Sequence, residues 1–203
     1  MDDREKIKFL LHVLIPVVLC MIPGYILYPA YIFKPYLSTF QIITTAFIGS
    51  VFLASLKITG IKNAVGIFLI FAVLNSMLLT KPDESGYVLR DIFHYAALLF
   101  SIFFFFRLFY SKSPPALYPI YTALIFAVVF FIAILVLSVI KSMNLGEPLT
   151  YYMETILYPA AIDTLIGFCI GVGTFIVDRY LPLKKKITDE VNATVDKEKA
   201  GSE

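Results

Sequence analysis

Apolar residues fall into six long runs separated by short polar breaks. The runs cover about residues 9–28, 38–56, 61–79, 87–110, 116–140 and 155–180. The first is FLLHVLIPVVLCMIPGYILY, twenty residues. At about 1.5 Å rise per residue, a helix of that length matches one hydrocarbon thickness, about 30 Å. The breaks are KP at 34–35, KITG at 57–60, KPDESG at 81–86, SKSPP at 111–115 and KSMNLGEP at 141–148. Connections this short force neighbouring helices to run antiparallel. In hydrocarbon the backbone must bond to itself, which favours helices. The pattern therefore predicts an all-α, polytopic integral membrane protein. Six transmembrane helices occupy residues 1–183, and a polar cytoplasmic tail, KKKITDEVNATVDKEKAGSE, occupies 184–203. A tail of this composition frays after extending the last helix briefly.

Composition strengthens this picture. Apolar residues make up 59% of the chain and charged residues 16%, against about 45–50% and 25% in soluble domains. Mean hydropathy is +0.83. A soluble enzyme, a disordered chain and a disulfide-stapled secreted domain are excluded. Seventeen basic and fifteen acidic residues give a net charge of +2, too balanced for a nucleic-acid binder. The distribution of basic residues sets the orientation. Arg4, Lys6, Lys8, Lys57, Lys62, Arg107, Lys112, Arg179, Lys184, Lys185 and Lys186 share one side, and Lys34, Lys81, Arg90 and Lys141 the other. The positive-inside rule places the first side, with both termini, in the cytoplasm. On that side the sequon Asn192-Ala193-Thr194 would stay unglycosylated. No cleavable signal peptide is evident. Cys20 and Cys169 lie within apolar runs, form no CxxC and are expected to be packing residues.

Prolines and tyrosines repeat. Leu-Tyr-Pro occurs at 27–29, 117–119 and 157–159, and ILYPAYI at 26–32 resembles ILYPAAI at 156–162. Tyr suits the headgroup layer and Pro the first helical turn, so convergence on interface chemistry accounts for the copies. Pro16 and Pro23-Gly24 interrupt the first run and are expected to bend it.

Polar groups within a bilayer are costly, which makes them the best guide to function. In the last run Asp163, Gly167, Gly171, Thr174 and Asp178 recur at helical spacing, within an arc of about 80°. Gly167 and Gly171 form a small-xxx-small pair that admits a close neighbour helix. Asp163 lies about 10 Å deep if that helix enters hydrocarbon near Ile156. It is expected to face inward and to pair with His94 or Asn75. Asp91, His94, Ala97 and Ser101 share a second face, Asn75-Ser76 lie near the end of the third run, and Gln41, Thr44 and Thr45 near the start of the second. Asp163, His94, Asn75, Asp91, Gln41 and Thr44 all fall in the outer half of the bilayer, where they suit a polar cavity or substrate pathway. His12 stands apart, as an interface or packing residue. The fifth run carries only Thr122 and Ser138 and is the best candidate for a lipid-facing helix.

No HExxH, GxSxG, GxGxxG or P-loop is present, and no cysteine–histidine cluster suits zinc. The sequence implies no cofactor and no catalytic group. The expected function is a small membrane transporter or a ligand-binding permease component, with Asp163 coupling ions or protons and His94 as a second titrating group. Two other readings fit the composition. One is a structural or regulatory subunit, in which the glycine face receives a partner membrane subunit or a second copy. The other is an integral-membrane enzyme acting on a lipid or isoprenoid through Asp91, His94 and Asp163. Membrane lipids are partners under every reading.

Overall fold

The computed structural model describes residues 3–31, 39–79, 85–110, 112–145 and 149–181. The tail from 184, the sequon, residues 32–38, residues 80–84 and residues 146–148 lie outside them. The described residues form six long helices: α1 (Asp3–Tyr31), α2 (Thr39–Thr59), α3 (Ile61–Leu79), α4 (Ser85–Phe105), α5 (Tyr118–Leu145) and α6 (Leu149–Tyr180). The fold is all-α. Four stretches are long and apolar enough to cross a membrane: Gln41–Thr59, Arg90–Tyr110, Pro115–Asn144 and Ala160–Tyr180; Ile61–Met77 is a shorter apolar helix. Large apolar side chains stand outside the bundle, among them Ile70, Met77, Ile120 and Leu124. In a soluble protein this surface would aggregate. On a multi-pass membrane protein it faces lipid.

α2 and α6 form the centre. α2 packs against α1, α3, α4 and α6, and α6 packs against α5, α1 and α2. A Cβ on Gly49 of α2 would lie 3.2 Å from both Ile170 of α6 and Leu98 of α4, so glycine lets three helices converge there. Of the four spanning stretches α2 is the most buried and α5 the least. One helix therefore spends its apolar surface on protein and the other on lipid. Phe52, Phe68, Phe105, Phe126 and Phe130 fill the interior.

The helix ends have local causes. Gly60 alone joins α2 to α3, at φ 78°. This left-handed conformation strains any residue with a Cβ, and it reverses the chain within one residue. The Gly60 carbonyl then accepts the Ala64 N–H at 3.1 Å. α4 ends in a π-helical turn, Phe106–Tyr110, and a 3-10 turn at Pro115–Leu117 leads into α5. Tyr118, from the middle Leu-Tyr-Pro copy, donates its hydroxyl to the Tyr110 carbonyl and ties the turns together. In α6 Pro159 lies beyond the first turn, because that helix begins at Leu149. Pro16 and Pro23 lie inside α1, which the backbone carries unbroken to Tyr31.

α5 and α6 are antiparallel and close. A Cβ on Gly167 would sit 2.5 Å from Phe126 Cγ, and one on Gly171 would strike the Thr122 hydroxyl and come 2.6 Å from Pro119 Cα. The same steps of four bring Phe130 level with Asp163. α1 meets α6 on another face, where a Cβ on Gly173 would lie 2.5 Å from Pro16 Cγ.

Candidate functional site

Polar side chains gather at both ends of the bundle. One end holds the start of α2, the end of α3 and the start of α4. His94 of α4 is half-buried, and its Nε2 lies 3.1 Å from Thr45 Oγ1 of α2. Its ring meets those of Phe130 and Tyr95 edge-on, at 5.3 and 5.5 Å between centroids. Asn75 of α3 donates to the Tyr95 hydroxyl. Ser76 donates to Asp91 Oδ2 at 3.0 Å, while Arg90 Nη2 lies 3.3 Å from Asp91 Oδ1. The Thr44 hydroxyl donates to the Gln41 carbonyl at 3.1 Å, a bond within α2. Asn75, Asp91 and His94 thus belong to one network that stitches α3 and α2 to α4, and Gln41 and Thr44 lie at the α2 start.

Asp163 is placed differently. It is 2% exposed, and its Oδ1 has no hydrogen-bond partner among the described residues. The bonds expected from His94 or Asn75 go instead to Thr45 and Tyr95. Helix order explains this. Asp163 lies on α6, whose neighbours are α5, α1 and α2, whereas Asn75 lies on α3, which packs on α2 and α4. Phe130 is the link: it is level with Asp163 along the α5–α6 seam and touches the His94 ring. Equal depth put these residues side by side in sequence reasoning; helix order separates Asn75 from Asp163, and His94 makes its hydrogen bond to Thr45 instead.

The other end carries a cluster that sequence reasoning missed. Lys57, in the last turn of α2, is 3% exposed, and its Nζ lies 2.8 Å from Asp178 Oδ1 of α6. His12 of α1 is also buried, with Nε2 3.1 Å from the same oxygen. His12 Nδ1 lies 2.8 Å from the Lys8 carbonyl. The Lys57 ammonium also sits 4.6 Å from the centre of the Tyr110 ring, within cation–π range. Asp178 therefore gathers a lysine from α2 and a histidine from α1, beside the π-helical turn of α4. Each of these residues had a simpler explanation. Lys57 reads as a loop lysine that orients the chain, His12 as packing, and Asp178-Arg179 as a headgroup pair. The available signal was the position of Lys57 directly after the apolar run 38–56 and before the apolar Ile58.

An apolar groove of about 410 Å³ runs between α5 and α6, lined by Ala127, Phe131, Ala160, Ala161 and Thr164 among others. The Thr164 hydroxyl is bonded to the Ala160 carbonyl at 2.7 Å. The groove thus offers hydrocarbon to whatever lies in it, and the buried polar residues that could line a cavity are elsewhere. Among the described residues no three His, Cys, Asp or Glu side chains converge as a metal centre requires. Compared with protein-family models, curated proteins and solved structures, the chain matches none.

Proposed function

We propose that the chain is a small six-span transporter that alternates access through the bundle, with both termini in the cytoplasm and Asp163 as its coupling residue. The observation that carries this reading is the buried Asp163 carboxylate, whose Oδ1 is left without a partner among the described residues. Desolvating such a group costs several kcal/mol, by order of magnitude. A fold retains it where the free oxygen binds something that comes and goes, a proton or a cation. The His12–Lys57–Asp178 cluster supports the same reading. It joins α1, α2 and α6 at the basic end and would act as the closed cytoplasmic gate. The outer-half residues His94, Asn75, Asp91, Gln41 and Thr44 would flank the pathway, with Phe130 as a removable partition.

The subunit reading loses one of its supports. Gly167 and Gly171 were the face offered to a partner helix, and α5 of the same chain already occupies it. The enzyme reading needs Asp91, His94 and Asp163 together, and His94 and Asp91 bond within the α2–α3–α4 network instead.

Proteoliposomes loaded with a pH-sensitive dye provide the test. Amines, amino acids, sugars and inorganic cations are added outside in turn. We expect one class to drive proton movement in the wild type, and Asp163→Asn to abolish it while the variant still reconstitutes. Solute-driven proton movement that is unchanged in Asp163→Asn would remove the coupling role.

A further inference from the structure

The α1–α6 seam holds a pair of free, buried thiols, Cys20 and Cys169. Two contacts set the register of this seam. Gly173 lies against Pro16, and Asp178 reaches His12 at the basic end. One turn beyond Pro16 and Gly173, the same antiparallel step brings Cys20 opposite Cys169. The hydrogen bonds agree. Cys20 Sγ lies 4.0 Å from the Ile166 carbonyl of α6, and Cys169 Sγ lies 3.8 Å from the Leu19 carbonyl of α1. Each thiol thus reaches across to the backbone of the other helix. Backbone proximity follows from Gly173, whose absent side chain would come 2.9 Å from Pro16 Cα. A disulfide requires its Cα atoms within about 7 Å and Cβ atoms that face each other. The Gly173–Pro16 contact one turn away brings the two backbones close, and each thiol is directed across the seam toward the helix that carries the other.

We propose that Cys20 and Cys169 are a redox-modification site, where the two thiols close into a disulfide that clamps α1 to α6, with a lipid-soluble quinone as oxidant. The chemistry balances. Two S–H bonds break and one S–S bond forms, and the two electrons and two protons released convert quinone to quinol. The seam selects the oxidant class. Cys20 is fully buried and Cys169 is 8% exposed in an apolar seam, so the oxidant meets Cys169 from the hydrocarbon, which a charged water-soluble disulfide such as oxidised glutathione does not enter. A neutral quinone moves within the hydrocarbon, and the product disulfide is neutral too, so no charge is buried. The clamp fixes α1 against α6 on the same seam as the His12–Asp178 contact. This inference stands apart from the transport reading, since it concerns only whether the bond forms.

The test uses the full chain in lipid nanodiscs, treated with a short-chain quinone or, as a stronger oxidant, copper phenanthroline. Samples are then unfolded in detergent and labelled with a maleimide polymer that shifts the band once per free thiol. We expect two shifts in the reduced protein, none after quinone, and two again after dithiothreitol, with intact mass showing the loss of two hydrogens. Cys20→Ser and Cys169→Ser should each keep one reactive thiol under the same treatment. Both thiols still labelled after either oxidant, or cross-linked dimers in place of the internal bond, would overturn the site. Closure with copper phenanthroline but not with quinone would overturn the quinone assignment.

Discussion

Two carboxylates of α6, Asp178 and Asp163, sit in different surroundings. At the basic end, Asp178 Oδ1 is shared between the Lys57 ammonium at 2.8 Å and His12 Nε2 at 3.1 Å, from two other helices, while its Oδ2, like Oδ1 of Asp163, has no hydrogen-bond partner among the described residues. Toward the other end, the contacts of His94 and Asn75 are with neutral groups, and Asp163 keeps an oxygen without a partner among the described residues. A buried pair is costly to form but far more costly to break, because removing one member strands the other. An unpaired carboxylate works the other way: it burdens the fold and is available for chemistry. Asp178 thus ties three helices together, while Asp163 is the residue to which the proposed transport reading gives the coupling role.

The largest expected effect comes from breaking the paired end. Lys57→Ala should destabilise the protein by about 3–5 kcal/mol, because Asp178 loses its closest cation. A melting curve in detergent reads this as a large drop in Tm. The double variant Lys57→Met with Asp178→Leu should recover most of the loss, since replacing a buried pair with apolar residues is often neutral. A double variant no better than Lys57→Ala would mean that packing, and not charge, holds that end.

Next comes the glycine seam. Gly167→Leu should cost roughly 1–3 kcal/mol by overpacking, because its first added carbon already lies 2.5 Å from Phe126. Gly66→Leu on α3 is the control, as nothing lies within 4 Å of a Cβ there. Equal melting temperatures for the two variants would contradict the close approach of α5 to α6.

Asp163 gives the sharpest contrast with Asp178. Removing a buried polar atom that has no partner relieves a desolvation cost. Asp163→Leu should therefore melt at or above the wild-type temperature, whereas Asp178→Leu alone melts well below it. Solute-driven proton movement should vanish in Asp163→Leu all the same. A marked loss of stability in that variant would show that the carboxylate is held by a partner. The smallest effect expected is that of Thr45→Val. It removes the His94 contact and should cost about 1 kcal/mol, read in the same melting experiment.

The sequence by itself determined the class of fold and the helices. The apolar run 61–79 is α3 residue for residue, and the run 87–110 holds most of α4 and its π-helical turn. Composition excluded a soluble enzyme, and the spacing of Gly167 and Gly171 marked the face of α6 on which α5 packs. These features are local: a run of apolar residues long enough to span hydrocarbon forms a helix whatever lies beside it. Helix ends were less legible, since α6 starts at Leu149, before its apolar run begins.

Tertiary structure alone decided which residues meet. His12 and Asp178 are 166 residues apart, and Lys57 and Asp178 are 121 apart. No periodicity within one helix reports such a contact. In a membrane bundle the usual clue also weakens, because lipid and protein interior are equally apolar, so hydrophobicity does not say which face of a helix is packed and which meets lipid. Position along each run could be read from the sequence, and His12 lies with Asp178 at the end of the bundle away from His94 and Asn75. The order of helices around the bundle could not be. That order is fixed by shape, by the glycines that let α5 and α1 approach α6, and by the need of a buried carboxylate for its cations. It sends His94 to Thr45 and Lys57 to Asp178, and leaves an oxygen of Asp163 free.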